Sequence, residues 1–241
     1  MTKSYRKSAM TAKIITLTQQ KGGTGKSLIS IQLAFALERM GYRVGVLDMG
    51  SLNVTSQWFS IAKEKGLESS VECIASADWR FQKDIETLNA NGAAFILVDT
   101  ASIQASDTQT QAALLMADLS IIPFQSGIID EWAVDETIKY VNQHRVPYRM
   151  LRNRCCAINK PYTAARLMPF VLDSFLSDDP AYVNSLQSFT TLDEVATSAT
   201  SLDEIKIFAQ ELCELVQPEQ RANQAKPISS PYDAEAELAS N

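Results

Sequence analysis

The sequence predicts an α/β fold: one domain built on a mostly parallel central sheet with helices on its faces. Three observations lead there. Short runs rich in Ile, Leu and Val alternate with longer segments of helical composition, the order expected when strands are joined by crossover helices. Two of those runs, residues 43–48 and 94–99, are almost wholly apolar and end in an acid, as strands buried inside a sheet do. A glycine-rich stretch, residues 21–27, separates the first strand-like run from the first helical one.

In chain order, residues 13–18 (Lys-Ile-Ile-Thr-Leu-Thr) read as the first strand. Residues 27–40, rich in Leu, Ile and Ala, read as a helix stopped by Gly41. A buried strand over 43–48 and a short one over 71–74 follow. Residues 84–88 lie in a helical stretch closed by Asn91-Gly92, and 94–99 is the clearest buried strand. Strands at 119–123 and 148–152 flank a helix around 132–143, a weaker strand spans 170–172, and 203–216 is an amphipathic terminal helix. There is no internal repeat. The expected organisation is a flexible basic N-terminal tail over 1–12, one folded α/β domain over 13–216, and a disordered tail over 217–241. That last segment carries Pro218, Pro227 and Pro231 with few large apolar residues.

Composition narrows the function classes. With 241 residues, 46% hydrophobic and 21% charged, the chain has ordinary globular make-up. A domain of that size buries roughly 70% of its unfolded surface, so it folds without disulfides or a structural metal. Cys73, Cys155, Cys156 and Cys213 form no CxxC pair, and a solitary His144 disfavours His-rich metal sites and His-based triads. The thiols are expected to be free, in a reducing compartment. No apolar run approaches the ~20 residues of a membrane helix, and the N-terminus (Lys3, Arg6, Lys7, Lys13) lacks the apolar core of a secretion signal. A cytoplasmic protein is expected. The formal net charge of −6 argues against a dedicated nucleic-acid binder, although a local basic face remains compatible with it.

The loop Lys21-Gly22-Gly23-Thr24-Gly25-Lys26-Ser27 carries the chemistry. A helix N-terminus offers unpaired N–H groups and partial positive charge, and glycines before it let the backbone wrap a phosphate without Cβ clashes. Lys26 would reach the β- and γ-phosphate oxygens, and the Ser27 hydroxyl would bind Mg²⁺. The expected ligands are therefore ATP and Mg²⁺. The nucleotide-binding set is Gly22, Gly23, Thr24, Gly25, Lys26, Ser27 and Leu28. The usual GxxxxGK[ST] spelling wants glycine where this chain has Gln20, and Lys21 opens the loop instead.

This spelling resembles the KGGxGK[ST] loop of the ParA/MinD family of ATPases, a deviant form of the P-loop NTPase motif. Three later segments fall in the same order. Val46-Leu47-Asp48 resembles the strand entering the family's first switch, Leu97-Val98-Asp99-Thr100 its second, and residues 121–130 its "IIPxxPSPLD" stretch. The resemblance spans roughly residues 12–216 and implies a P-loop NTPase fold in a protein that positions DNA or large assemblies. It further implies an ATP-dependent sandwich homodimer in which Lys21 reaches the partner's phosphates. A trans-acting cation of that kind offsets the charge of two facing sites, as an arginine finger does. Asp99 and Asp48 would orient Mg²⁺ through water. Lys21, Lys26, Asp48 and Asp99 are thus the expected catalytic set, and Ser27, Asp48 and Asp99 the metal set.

One departure stands out. The family writes its first switch D-x-D, and the second acid helps to place the attacking water, whereas this chain reads Asp48-Met49-Gly50. Weak or partner-stimulated hydrolysis is the expectation. Adenine recognition is expected after 148–152, through the amide of Asn153 or by stacking of Arg152 or Arg154. Nonspecific DNA is a further candidate partner, through Arg145, Arg149, Arg152, Arg154, Lys160 and Arg166, and would bring nucleoid association with it. Where relatives carry an arginine, residues 183–189 carry none, and acidic residues follow. Two readings compete: a partition or positioning switch working with a small DNA-binding or cargo adaptor protein, and a non-cycling ATP-dependent adaptor in conjugative DNA transfer or assembly of a localised complex. A metabolic P-loop enzyme would need a substrate-binding acid or thiol beside the γ-phosphate, and the sequence offers no obvious one.

Overall fold

The structure, a computed structural model, describes residues 12–77, 79–101, 108–125, 127–156, 165–195 and 199–216. The two expected tails lie outside these, apart from Ala12, which is buried and donates its N–H to Asn89 Oδ1 at 3.1 Å. The packed chain therefore begins one residue before the expected boundary.

Seven parallel strands form one sheet in the order β3-β2-β4-β1-β5-β6-β7. They are β1 (Lys13–Leu17), β2 (Val44–Met49), β3 (Glu72–Ala75), β4 (Phe95–Thr100), β5 (Leu119–Phe124), β6 (Tyr148–Cys155) and β7 (Val171–Ser177). Alternate side chains of the central strands enter cores on opposite faces. Ile15, Leu17, Val46 and Leu97 meet α1 (Lys26–Arg39) and α8 (Thr200–Val216), while Ile14, Leu47, Ile96 and Val98 meet α3 (Phe81–Ala90) and α4 (Thr108–Met116). On that second face Ile122, Phe124 and Met150 pack against Val134, Ile138 and Val141 of α5 (Ile128–Gln143). Both faces being covered explains why the strands read as continuous apolar runs.

The structure adds helices that the sequence pattern did not reveal. They are α2 (Val54–Glu64), α4, α6 (Pro180–Ser188) and the short α7 (Leu192–Val195). The strand expected over 170–172 is longer, Val171–Ser177, and follows a single 3₁₀ turn, Met168–Phe170. α5 begins at Ile128, four residues before the expected start.

β1 lies between β4 and β5, so the chain leaves its C-terminal end where connections diverge to opposite sides of the sheet. Open parallel sheets bind ligands in the crevice at such a point.

Candidate nucleotide site

The crevice holds the glycine-rich loop. Gly23 and Gly25 have φ of 75° and 95°, left-handed values that disfavour side chains. Gly25 is also the N-cap of α1, and an added Cβ there would lie 2.5 Å from Asn153 Nδ2. No side chain caps α1, and its first turn carries no acid. The helix thus presents its amides and positive end to the crevice, the arrangement that receives an anion. Thr24 is buried, and its hydroxyl has no partner among the described residues.

Lys26 is buried, and its Nζ donates to the Gln19 carbonyl at 3.1 Å. Burial pushes its ammonium below the ordinary lysine value, against the opposing pull of Asp99. Opposite it, Asp99, the penultimate residue of β4, is 3% exposed. The Thr55 hydroxyl donates to Asp99 Oδ2 at 2.6 Å, Ser27 also hydrogen-bonds the carboxylate, and Oδ1 has no partner among the described residues. Burial is the main influence and raises this acid to about 6, while the two hydroxyls and Lys26 pull it back. A carboxylate with an orphaned oxygen beside a serine hydroxyl fits a Mg²⁺ ion that also takes phosphate oxygens and water. Among the described residues no cluster of three or more His, Cys, Asp or Glu side chains would hold a metal alone, so the phosphates would have to complete the coordination.

Asp48 sits beside Asp99 across the β2–β4 ladder, but both its oxygens are occupied. Oδ1 accepts from the Gly50 N–H at 2.9 Å and Oδ2 from the Ser56 N–H at 2.8 Å, so the side chain ties the β2–α2 turn to the first turn of α2. Asp48 and Asp99 are the acids among the residues described as lining this cleft of about 420 Å³.

Lys21 is 39% exposed and its Nζ lies 2.6 Å from Asp130 Oδ1, an ion pair with the start of α5. Behind it, Gln19 Oε1 accepts from the Thr137 hydroxyl at 2.6 Å and from the Lys21 N–H at 3.3 Å. Gln20 N–H donates to Thr137 at 3.2 Å. The loop is therefore bracketed to α5. Gln19, Thr137, Asp130 and Thr55 are site residues that the sequence reading missed. Thr55, Trp58 and Ala62 are buried at i, i+3 and i+7, a helical spacing that would have exposed α2 and with it Thr55.

β6 breaks its register with β7 near Arg152 and Cys155, and Arg154 adopts φ 54°. Such irregularities re-aim side chains beside binding sites. Asn153 turns inward, buried, and its Nδ2 donates to the Thr24 carbonyl at 2.8 Å. Arg154 turns outward and lines the cleft. The amide nitrogen of Asn153 thus buttresses the phosphate loop.

The sequence profile of the CobQ/CobB/MinD/ParA nucleotide-binding domain matches residues 15–213, most of the chain. The chain belongs to the ParA/MinD family of P-loop ATPases. Among solved structures, a plasmid partition protein of Borrelia burgdorferi B31 bound to AMPPNP superposes with a TM-score of 0.63. It is 19% identical, over 85% of this chain and 98% of that one. MinD in the Aquifex aeolicus MinC:MinD cell division complex gives 0.66 at 19% identity, over 86% and 98%. Identity that low establishes the shared fold. The flagellum site-determining protein YlxH of Helicobacter pylori is 48% identical over 46 residues, 19% of this chain and 16% of that protein. The chain thus aligns with only about a sixth of that curated relative's length.

Among the described residues the basic side chains of the expected patch are dispersed. Arg166 pairs with Asp135 at 2.6 Å, and Arg149 is half-buried and donates to the Tyr148 carbonyl. Arg145 and Arg154 are exposed but sit at opposite ends of β6. Lys160 lies outside the described residues. Among the described residues no helix is long and apolar enough to cross a membrane.

Proposed function

We propose that this ParA/MinD-family ATPase is a slowly hydrolysing ATP switch that pairs face to face with a second copy of itself to position DNA or another cargo. The observation that carries the reading is the cradle itself: left-handed Gly23 and Gly25, an uncapped α1, buried Lys26, and Ser27 beside the orphaned oxygen of Asp99. In it the loop amides and Lys26 hold the β- and γ-phosphates. Ser27 and Asp99 orient Mg²⁺, which would supply charge neutralisation at the phosphates, and Asp48 holds the switch turn in place. Adenine falls beside Arg154 and the outer side of Asn153.

Face-to-face pairing is supported by what surrounds the cleft. Leu52, Val54, Trp79 and Trp132 are 73%, 55%, 75% and 64% exposed. They follow the C-terminal ends of β2, β3 and β5, on the edge of the sheet that carries the loop. An apolar rim around a charged site has the composition of a protein interface. Lys21 projects from the same edge, and γ-phosphates of a facing copy would draw it away from Asp130.

Slow turnover is supported by the absence, among the described lining residues, of a carboxylate left over to position water. Asp48 is spent on backbone N–H groups, the one open oxygen of Asp99 is assigned to Mg²⁺, and Gly50 has no side chain. A long-lived ATP state also suits a non-cycling adaptor, for example in conjugative DNA transfer, and Gly50 favours that second reading over a fast cycler. Calorimetry with MgATP and MgADP, light scattering in each nucleotide state, and single-turnover hydrolysis test the scheme together. Tight MgATP binding, an ATP-specific dimer and turnover well below that of D-x-D relatives are expected. A chain that ignores adenine nucleotides, or stays monomeric with ATP, overturns it.

A further inference from the structure

Away from the nucleotide, β7 closes one edge of the sheet and α8 runs beside it, leaving a groove of about 840 Å³. Asp173, Ser174 and Phe175 line one wall, and Asp203, Ile207 and Glu214 the other. We propose that this groove is the docking surface for a basic, amphipathic segment of a separate polypeptide.

The groove combines two properties that a solvated acidic face does not require. Phe175 and Ile207 are 43% and 53% exposed, forming an apolar centre between carboxylates. Ser174 lines the same wall at 5% exposure, and its buried hydroxyl has no hydrogen-bond partner among the described residues.

The charges are arranged for a ligand rather than for the fold. Glu211 accepts from the Asp173 and Ser174 N–H groups at 3.0 and 2.9 Å, and Glu204 from Ser177 at 2.9 Å, so these two acids cap backbone donors of the edge strand. Glu211 also feels the nearby guanidinium of Arg149. Asp173, Asp203 and Glu214 are left facing the opening. Asp203 and Glu214 stand eleven residues apart on α8 with Ile207 between them, a span of about 16 Å. Three turns of helix carrying Lys or Arg on either side of apolar residues match that spacing. No lysine or arginine is among the lining residues, which disfavours nucleic acid.

The chain's own tails are poor occupants. Residues 217–241 contain Glu219, Asp233, Glu235 and Glu237 against Arg221 and Lys226, an acidic balance. Residues 1–11 are basic, but most of that charge stops short of the groove. Through the strand registers Val171 lies level with residue 18, three strands across from β1. That is about 24 Å from Ala12, whereas Arg6 and Lys7 can extend only about 20 Å from it, which leaves Lys3 as a lone cation within reach of three carboxylates.

The test uses the full chain and fluorescence anisotropy at about 0.15 M ionic strength. The probe is a labelled synthetic helix-forming peptide of Leu and Lys at amphipathic spacing, beside a control with each Leu changed to Ser. We expect the Leu-containing peptide to bind at least about tenfold tighter than the control. The double variant Asp203→Lys/Glu214→Lys should weaken it at least about tenfold and Ile207→Ser about threefold, with thermal midpoint and MgATP affinity retained. Equal binding of the two peptides, or variants that bind like the parent, overturns the proposal. So does competition by a peptide of residues 1–11 that shows the same variant sensitivity, because the occupant would then be a second copy of this chain. MgATP binding is read separately, so failure here leaves the nucleotide reading intact.

Discussion

Two loops border the same cleft and are built on opposite plans. The β1–α1 loop directs polar groups inward: the amides of α1, the Thr24 hydroxyl and the Lys26 ammonium converge on one small volume, with glycine geometry holding it open. The β2–α2 turn spends its acid on itself, with Asp48 bonded to Gly50 and Ser56, and exposes apolar Leu52 and Val54 alternating with Ser51 and Asn53. One loop is shaped to grip an anion and the other to make a surface. If the proposed function holds, gripping a triphosphate and cleaving it should be separable here, and substitutions should move one without the other.

The largest effect should come from the gripping loop. Lys26→Ala leaves the crevice without its buried cation and is expected to weaken MgATP binding by about two to three orders of magnitude, in line with losing one partner of a buried charged contact. Calorimetry reads it directly. Retained affinity would mean that the amides alone hold the phosphates.

Asp99→Asn separates binding from folding. Burial holds this acid at about 6, above its unfolded value of 3.8. A raised carboxylate value means the native state keeps a proton that the unfolded chain has already released. Stability of the nucleotide-free protein should therefore fall as pH climbs from about 4 to about 6, and stay lowered above that. The full shift corresponds to at most about 3 kcal/mol. Asn at this position should recover up to that amount at neutral pH and nothing near pH 4, while weakening Mg²⁺-dependent nucleotide binding. Denaturant melts at both pH values check the sign, and a variant destabilised at pH 7 would show that the Thr55 and Ser27 bonds outweigh burial.

Gly50→Asp addresses the other loop. Its backbone does not lie in the left-handed region, and an added Cβ meets only Asp48 Oδ1 at 3.1 Å, so an acid can be accommodated. Restoring a carboxylate that positions water is expected to raise turnover by about ten- to a hundredfold, with MgATP affinity nearly unchanged. Single-turnover hydrolysis distinguishes this from a binding effect. An unaltered rate would place the block in the missing partner.

Which parts were legible follows from the same contrast. Gripping is done by local chain: Gly22 to Ser27 are contiguous, their spacing carries the chemistry, and the strands around them are apolar runs that read plainly. The groups that finish the site arrive from far along the chain. Asp130 and Thr137 approach the loop from α5, and Thr55 from a helix whose Val54-Thr55 start masked it. Asn153 was legible as a candidate for the base, but its bond to the Thr24 carbonyl, made beside a register shift in β6, was not. Of the missed helices, α6 did carry a signature, Asp179 capping Ala181 with Pro180 in the first turn. The basic residues are close in sequence, but Arg166 pairs with Asp135, Arg149 is half-buried, and Arg145 and Arg154 lie at opposite ends of β6.

The smallest effect should come from the Lys21–Asp130 pair, and it bears on whether the two loops communicate. The pair is short but Lys21 is 39% exposed, and such pairs contribute only about 0 to 1 kcal/mol. If a facing copy's phosphates take Lys21 from Asp130, that small energy opposes pairing, and Asp130→Asn should favour the ATP dimer by no more than about fivefold. Lys21→Ala should abolish ATP-dependent pairing while leaving monomer affinity for MgATP within a few-fold, because Lys26 and the amides remain. Sedimentation across an ATP titration reads both variants. Weaker pairing in Asp130→Asn would mean that the carboxylate aims Lys21 across the interface instead of holding it back, and the ion pair would then belong to the dimer's assembly rather than to its restraint.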